Sequence, residues 1–277
     1  RGGWNVMHGH GGALVAWLYS LTGRLDEAAA LIADTIPVAR RILGPNITIL
    51  SVLCGAADIA RLRGDLDGAR SHVEEARSSS KRDDILARSI KATTHQSALI
   101  ARDDGAYEDA LQMLDDLPLT LAGLGSDHDS ELPPNLWTAR ASIEVRSENP
   151  AQALENLKRA LDQPRDLAHL DALEAVETAA IALTQQEKAA QAATLFGAVE
   201  QERDDCGLVV PPPDRPVLET AMSHAQAALG YEWDAAANHG RSKTLEEATA
   251  LAVAATDSGE QSHVEPRKPV DKSASKT

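Results

Sequence analysis

A short phrase recurs along this chain at a near-constant spacing, and that recurrence restricts the fold more than any other feature. It reads Gly23-Arg24-Leu25-Asp26-Glu27-Ala28, then Gly64-Asp65-Leu66-Asp67-Gly68-Ala69, then Gly105-Ala106-Tyr107-Glu108-Asp109-Ala110. Fainter copies are Asn149-Pro150-Ala151-Gln152-Ala153 and Glu187-Lys188-Ala189-Ala190-Gln191-Ala192. Measured on the closing alanines, the steps are 41, 41, 43 and 39 residues. A period of this size marks stacked supersecondary units, each of which buries its apolar face only against its neighbours.

A true repeat must also match at other offsets, and this one does. Twelve residues before each closing alanine stand Ala16, Ala57, Ala98, Ala141 and Ala180, and four after it stand Ile32, Val73, Leu114, Leu157 and Phe196. Small residues let two helices approach, and large apolar ones fill the space between them. Leu25, Leu66, Tyr107, Pro150 and Ala189 open the second helix of each pair. The spacing therefore predicts helix pairs at 9–22 with 25–43, 48–63 with 66–81, 84–103 with 106–123, 134–147 with 150–163, and 167–185 with 188–206. Pro37 should kink or shorten the helix it falls in. The stretch from Pro118 to Pro134, with Ser126-Asp127-His128-Asp129-Ser130 inside it, reads as the longest loop and a hinge.

Composition agrees with an all-helical chain. Apolar residues make up 43% but aromatics only 3%, so the apolar content is largely alanine and leucine, which favour helix over strand. A net charge of −15 repels a polyanion, which excludes direct nucleic-acid binding by this segment. No run of about 18 apolar residues is present to span a membrane. Cys54 and Cys206 are the only cysteines and lie far apart, which suggests neither a disulfide framework nor a Cys-based zinc site and points to a reducing, cytoplasmic setting. The start Arg1-Gly2-Gly3-Trp4 is neither an initiator methionine nor a signal peptide, and reads as the inside of a longer chain.

Catalytic chemistry finds little support. Gly240-Arg241-Ser242-Lys243-Thr244 lacks the spacing of a phosphate loop and a preceding strand. His8-Gly9-His10-Gly11-Gly12 reads as a turn leading into the first helix, because no Gly-x-Ser-x-Gly elbow accompanies it. His95 and His169 fall on helices among small apolar residues, where a solvated or hydrogen-bonded imidazole is commoner than a ligand. Acid pairs such as Asp83-Asp84, Asp115-Asp116 and Asp204-Asp205 point apart on a helix. No catalytic residue, no metal ligand and no cofactor are expected. Trp17 and Trp137 lie on first helices and are read as core.

The C-terminal third is less generic. It runs Ala192-Ala193-Thr194-Leu195-Phe196-Gly197-Ala198-Val199-Glu200-Gln201-Glu202-Arg203, then Gly207-Leu208-Val209-Val210-Pro211-Pro212-Pro213-Asp214-Arg215, with Trp233-Asp234-Ala235-Ala236 and Gly240 to Ala248 beyond. The prolines force an extended break. A helix from about 214 to 229 ends at Gly230, and Thr244 with Glu246 and Glu247 starts a last one. Beyond Asp257 the chain is poor in apolar residues and is expected to be disordered.

The small-residue columns and the Gly-Asp turn resemble the tetratricopeptide (TPR) repeat. The C-terminal run resembles the end of the TPR region of large bacterial signal-transducing transcriptional regulators of the LuxR and SARP types. That resemblance implies a right-handed α-solenoid: repeats one to three at 1–123, a loop or hinge at 124–133, repeats four and five at 134–206, capping helices at 207–256 and a tail at 257–277. It implies a concave groove lined by first helices. In the TPR register the groove-facing positions are His10, Asp58, Arg61, His95 and Arg102, followed by Asn135, Thr138, Ser142, Glu174 and Glu177. By the same resemblance the segment is a non-enzymatic, cytoplasmic sensory or protein-interaction module. It would bind a protein or peptide partner, or upstream domains of its own polypeptide, and couple that binding to an upstream NTPase switch and effector. Two other roles fit the same repeats: the interaction module of a multidomain enzyme such as a nucleotide cyclase, or a stand-alone TPR scaffold.

Overall fold

The computed structural model describes residues 2–43, 47–79, 83–124, 132–162 and 168–257, with side chains for 11–41, 49–79, 86–124, 132–162 and 168–256. The 258–277 tail and most of the 124–133 hinge lie outside the described residues. Five helical hairpins follow one another: α1 (Gly2–Leu21) with α2 (Leu25–Leu43), α3 (Ile47–Leu62) with α4 (Leu66–Ser79), α5 (Asp83–Asp103) with α6 (Tyr107–Ala122), α7 (Pro134–Arg146) with α8 (Pro150–Leu161), and α9 (His169–Gln185) with α10 (Ala189–Cys206). Next come α11 (Arg215–Leu229), a single 3-10 turn, α12 (Trp233–Arg241) and α13 (Leu245–Asp257). No strand occurs among the described residues, and the chain is an all-α helical repeat solenoid.

Both alanine columns sit where two helices touch. Ala16, Ala57, Ala98, Ala141 and Ala180 on the first helices, and Ala28, Ala69, Ala110, Ala153 and Ala192 on the second, all have 0% exposure. The large apolar column, from Ile32 to Phe196, is buried beside them. First helices also pack on one another, α1 on α3, α3 on α5, α5 on α7 and α7 on α9, which makes them the inner layer of the stack.

The turn inside each hairpin is held by backbone bonds that need a left-handed residue. In the second hairpin the Gly64 N–H donates to the Arg61 C=O and the Asp65 N–H to the Ala60 C=O, at 2.9 Å each. Gly23, Gly64 and Gly105 supply φ of +78°, +79° and +82°. Glu148 (φ +61°) and Glu187 (φ +62°) occupy the same register in the last two hairpins. A side chain there costs about 1–2 kcal/mol, against about 0.5–1 kcal/mol for the extra chain freedom glycine loses on folding. Glu187→Gly is therefore expected to stabilise the protein by about 0.5–1 kcal/mol, read as a higher urea midpoint at unchanged slope.

One boundary and the effect of two prolines differ from the sequence expectation. The His8 to Gly12 phrase is helix, not turn, because α1 begins at Gly2. Its glycine serves packing: a Cβ on Gly12 would lie 2.4 Å from Thr35 Oγ1 of α2. Pro37 neither ends nor shortens α2, which continues to Leu43, and α6 continues through Pro118 to Ala122. In both helices the turns around the proline are pinned by buried side chains, Ile36 and Ala39 in one and Leu117 and Leu121 in the other. That burial offsets the lost hydrogen bond.

At the C-terminal end α13 starts with a capping box, the Glu247 N–H donating to Thr244 Oγ1 (3.2 Å) and the Thr244 N–H to Glu247 Oε2 (3.0 Å). Its buried Ala248, Ala252 and Ala255 join the core of hairpins four and five, as do Leu218, Ala221 and Ala225 of α11. Helix α12 is not anticipated by the sequence reading. It crosses α10 where Gly240 faces the backbone of Thr194 and Gly197 faces that of Ala237. No described helix is long and apolar enough to cross a membrane.

Candidate binding cavity

Gly207, with φ +64°, ends α10 in a left-handed turn in which the Leu208 N–H donates to the Arg203 C=O (2.8 Å). The three prolines that follow can neither continue the helix nor donate hydrogen bonds, so the chain from Leu208 runs on as an irregular strap until α11 begins at Arg215. That strap crosses the inner face of the solenoid. The Val209 N–H donates to the Leu21 C=O at the end of α1 (3.0 Å), and the Val209 side chain lies against the Gly23 turn. Arg203 Nη1 and Arg215 Nε donate to the carbonyls of Val209 and Val210, each at 3.1 Å.

Between the strap and the first helices lies a cavity of about 300 Å³. Six of the ten residues proposed for the groove line it: Asp58 and Arg61 from α3, His95 and Arg102 from α5, and Glu174 and Glu177 from α9. Ser142 lies behind the wall and accepts a bond from Arg102 Nη1 (3.0 Å). Thr138 is buried in the helix packing with its hydroxyl unpartnered, and Asn135 is half-buried; neither lines the cavity. The side chain of His10 lies outside the described residues.

A chain of ion pairs runs through the cavity wall. Arg61 holds Asp58 (2.7 Å) and Asp103 (2.6 Å), and Arg102 takes the other oxygen of Asp103 (2.8 Å) and reaches Asp214 of the strap (3.0 Å). Arg146 also grips Asp214 and donates to the Ser142 C=O (2.8 Å). Arg203 closes on Glu177 at 2.9 Å. Burial alone would raise the Asp214 carboxyl, but the guanidinium groups of Arg102, Arg146 and Arg61 hold it below its ordinary value. Every arginine of the cavity is thus committed to a carboxylate of the protein.

Sequence reasoning missed Asp103, Arg146, Arg203 and Asp214, and it misplaced Trp17. Trp17 is 39% exposed and lines the cavity instead of filling the core. Trp137 is half-buried against the core of hairpins three and four, with the Arg159 guanidinium 4.8 Å from its ring centre. One usable signal was the register: Arg61 and Arg102 stand at the same offset, eight residues before their repeat's alanine.

Glu174 and His95 are two of the titrating groups of the cavity. Burial pushes the Glu174 carboxyl up to about 7, with the charges of Asp214 and Asp171 adding and those of Arg102 and Arg61 opposing. Burial draws the His95 imidazole down to about 4, helped by Arg61 and Arg102 and opposed by Asp58. The folded protein therefore holds more protons than the unfolded chain at Glu174 between about pH 4.5 and 7, so that group costs stability as pH rises through this window. At His95 it holds fewer between about pH 4 and 6.5, so stability is lost as pH falls. Glu174→Gln should flatten the loss on the alkaline side, and His95→Gln should flatten the loss on the acid side. Urea unfolding of each variant against the parent at pH 5, 6 and 8 checks both.

Among the described residues one trio brings possible metal-ligand atoms within 4.8 Å of one another: His169, Glu202 and Cys206. It is not part of the cavity lining, and His169 and Cys206 are exposed.

Residues 14–46 match the family described as the tetratricopeptide repeat, a span that takes in the last part of α1 and all of α2. No curated protein matches the chain. All-helical TPR folds are typically non-catalytic interaction modules. The first hairpin carries the match, and the same alanine columns carry its packing through the next four; the chain is an all-α helical repeat protein with a TPR match in its first hairpin.

Proposed function

We propose that this segment is the sensory or interaction module of a multidomain bacterial transcriptional regulator, and that the strapped cavity is where it recognises its partner or ligand. The convergence of Asp58, Arg61, His95, Arg102, Glu174 and Glu177 on one cavity carries this reading. Concave inner faces are the recognition surfaces of such stacks. A strap that ties the last hairpin to the first gives an occupant of the cavity a way to change the whole curvature. The exposed Leu14, Val15 and Leu18 on α1 support a packed neighbour at that end, where an NTPase switch and effector would sit. The setting would be cytoplasmic.

A photo-crosslinking amino acid placed at Trp17, in the cavity, or at Leu119, on the outer surface, tests it in the native host. A partner or ligand captured at Trp17 and absent at Leu119 is the expected result. Equal capture at both, or none at Trp17, would overturn it, as would a native polypeptide without an NTPase or effector domain.

A further inference from the structure

The lining of the cavity is uneven in what it leaves uncommitted. Its three arginines are each neutralised, Arg61 by Asp58 and Asp103, Arg102 by Asp103 and Asp214, and Arg203 by Glu177. An anionic ligand would have to break one of these buried pairs, which is costly because it strands a charge. Two acceptors of the lining are in the opposite condition. Gln96 Oε1 is buried with no hydrogen-bond partner. Glu174, also in the lining, forms no ion pair with any described residue. Counted over the lining, Arg61, Arg102 and Arg203 face Asp58, Asp171, Glu174, Glu177 and Asp214, an excess of two carboxylates.

The rest of the wall is apolar, with Trp17, Leu62, Leu99, Leu173 and Val209. A volume of about 300 Å³ is at the small end for ligand sites. The strap from Leu208 to Asp214 already takes the path that an extended peptide would follow along the inner face.

We propose that the cavity binds a small cationic molecule, its ammonium or guanidinium group held by Glu174 and Gln96 and its apolar body against Trp17 and Leu99. The proposal deepens the reading of the cavity as a recognition site and rests on it. A bound cation supplies the donors that Gln96 and Glu174 lack, and it neutralises the carboxylate excess without opening any pair in the wall. It also favours the ionised form of Glu174, so binding near neutral pH releases a proton.

Isothermal titration of the full chain with agmatine, cadaverine, tyramine and tryptamine at pH 7, each in two buffers of different ionisation enthalpy, tests this. At least one amine should bind with proton release, Glu174→Gln should weaken that binding tenfold or more and abolish the release, and Glu219→Gln on the exposed face of α11 should leave both unchanged. If Glu174→Gln fails to fold by circular dichroism, Gln96→Ala takes its place, with the same loss of affinity expected. Failure of all four amines, tighter binding of succinate than of any amine, or amine binding indifferent to both variants overturns the proposal. Binding of an arginine-containing pentapeptide but of no amine overturns it too. Capture from Trp17 in the crosslinking experiment would then leave the recognition reading standing while this one falls.

Discussion

Replacing Asp103 by alanine is expected to cost the solenoid about 3–5 kcal/mol, the largest loss from any single change in the cavity wall. Asp103 is the shared carboxylate of two buried guanidinium groups: its side chain is 5% exposed, that of Arg61 7% and that of Arg102 2%. Arginine keeps its proton at any accessible pH, so removing the acid cannot be relieved by neutralising the base. Arg61 would retain Asp58, and Arg102 would retain Asp214 and Ser142, which bounds the loss. Asp103→Asn keeps acceptor capacity for one arginine and should lose about half as much. Urea unfolding followed by circular dichroism measures both, and a loss under about 1 kcal/mol for the alanine variant would mean that water reaches Arg61 and Arg102.

A second large effect is expected where α10 and α12 cross. A Cβ on Gly240 would stand 1.9 Å from the Thr194 carbonyl oxygen, and one on Gly197 would stand 2.0 Å from that of Ala237. The obstacle is backbone in both places, so no rotamer change relieves it. Alanine at either site must push the two helices apart, with an expected cost of about 3 kcal/mol. The loss should be local, because α12 packs chiefly on α10. Limited proteolysis of Gly240→Ala is expected to cut first between Gly230 and Thr244, while the first four hairpins stay intact.

These two effects mark what the sequence displayed and what it concealed. The alanine columns were legible because helix contact restricts one position per helix to a small side chain, and the restriction returns with every hairpin. The hairpin turns were legible for the same reason, as Gly23, Gly64 and Gly105 show. Gly197 and Gly240 impose the same kind of restriction but occur once, without a column to set them apart, so α12 went unseen. Of the cavity, the half contributed by α3, α5 and α9 could be assigned from register. The other half comes from the strap, whose prolines state only that no helix forms there. Nothing local indicates that Asp214 will meet Arg102 and Arg146. Nor does a register distinguish arginines free to recognise a partner from arginines already paired, and Arg61 and Arg102 proved to be of the second kind.

The hydrogen bond between Val209 and Leu21 has a consequence for how the protein comes apart. An open row of hairpins behaves as a line, in which each unit feels only the next and the ends fray first. Tying the strap behind the fifth hairpin to the end of α1 holds the described row at both of its outer hairpins, so neither unzips alone. Amide hydrogens near the end of α1 should then exchange as slowly as those of α9, instead of as fast as those of an untied outer hairpin. Cutting the tie with Val209→Pro, which removes the donor, should restore the gradient of exchange along the stack. In a stack tied this way, an event at one hairpin is felt by every other.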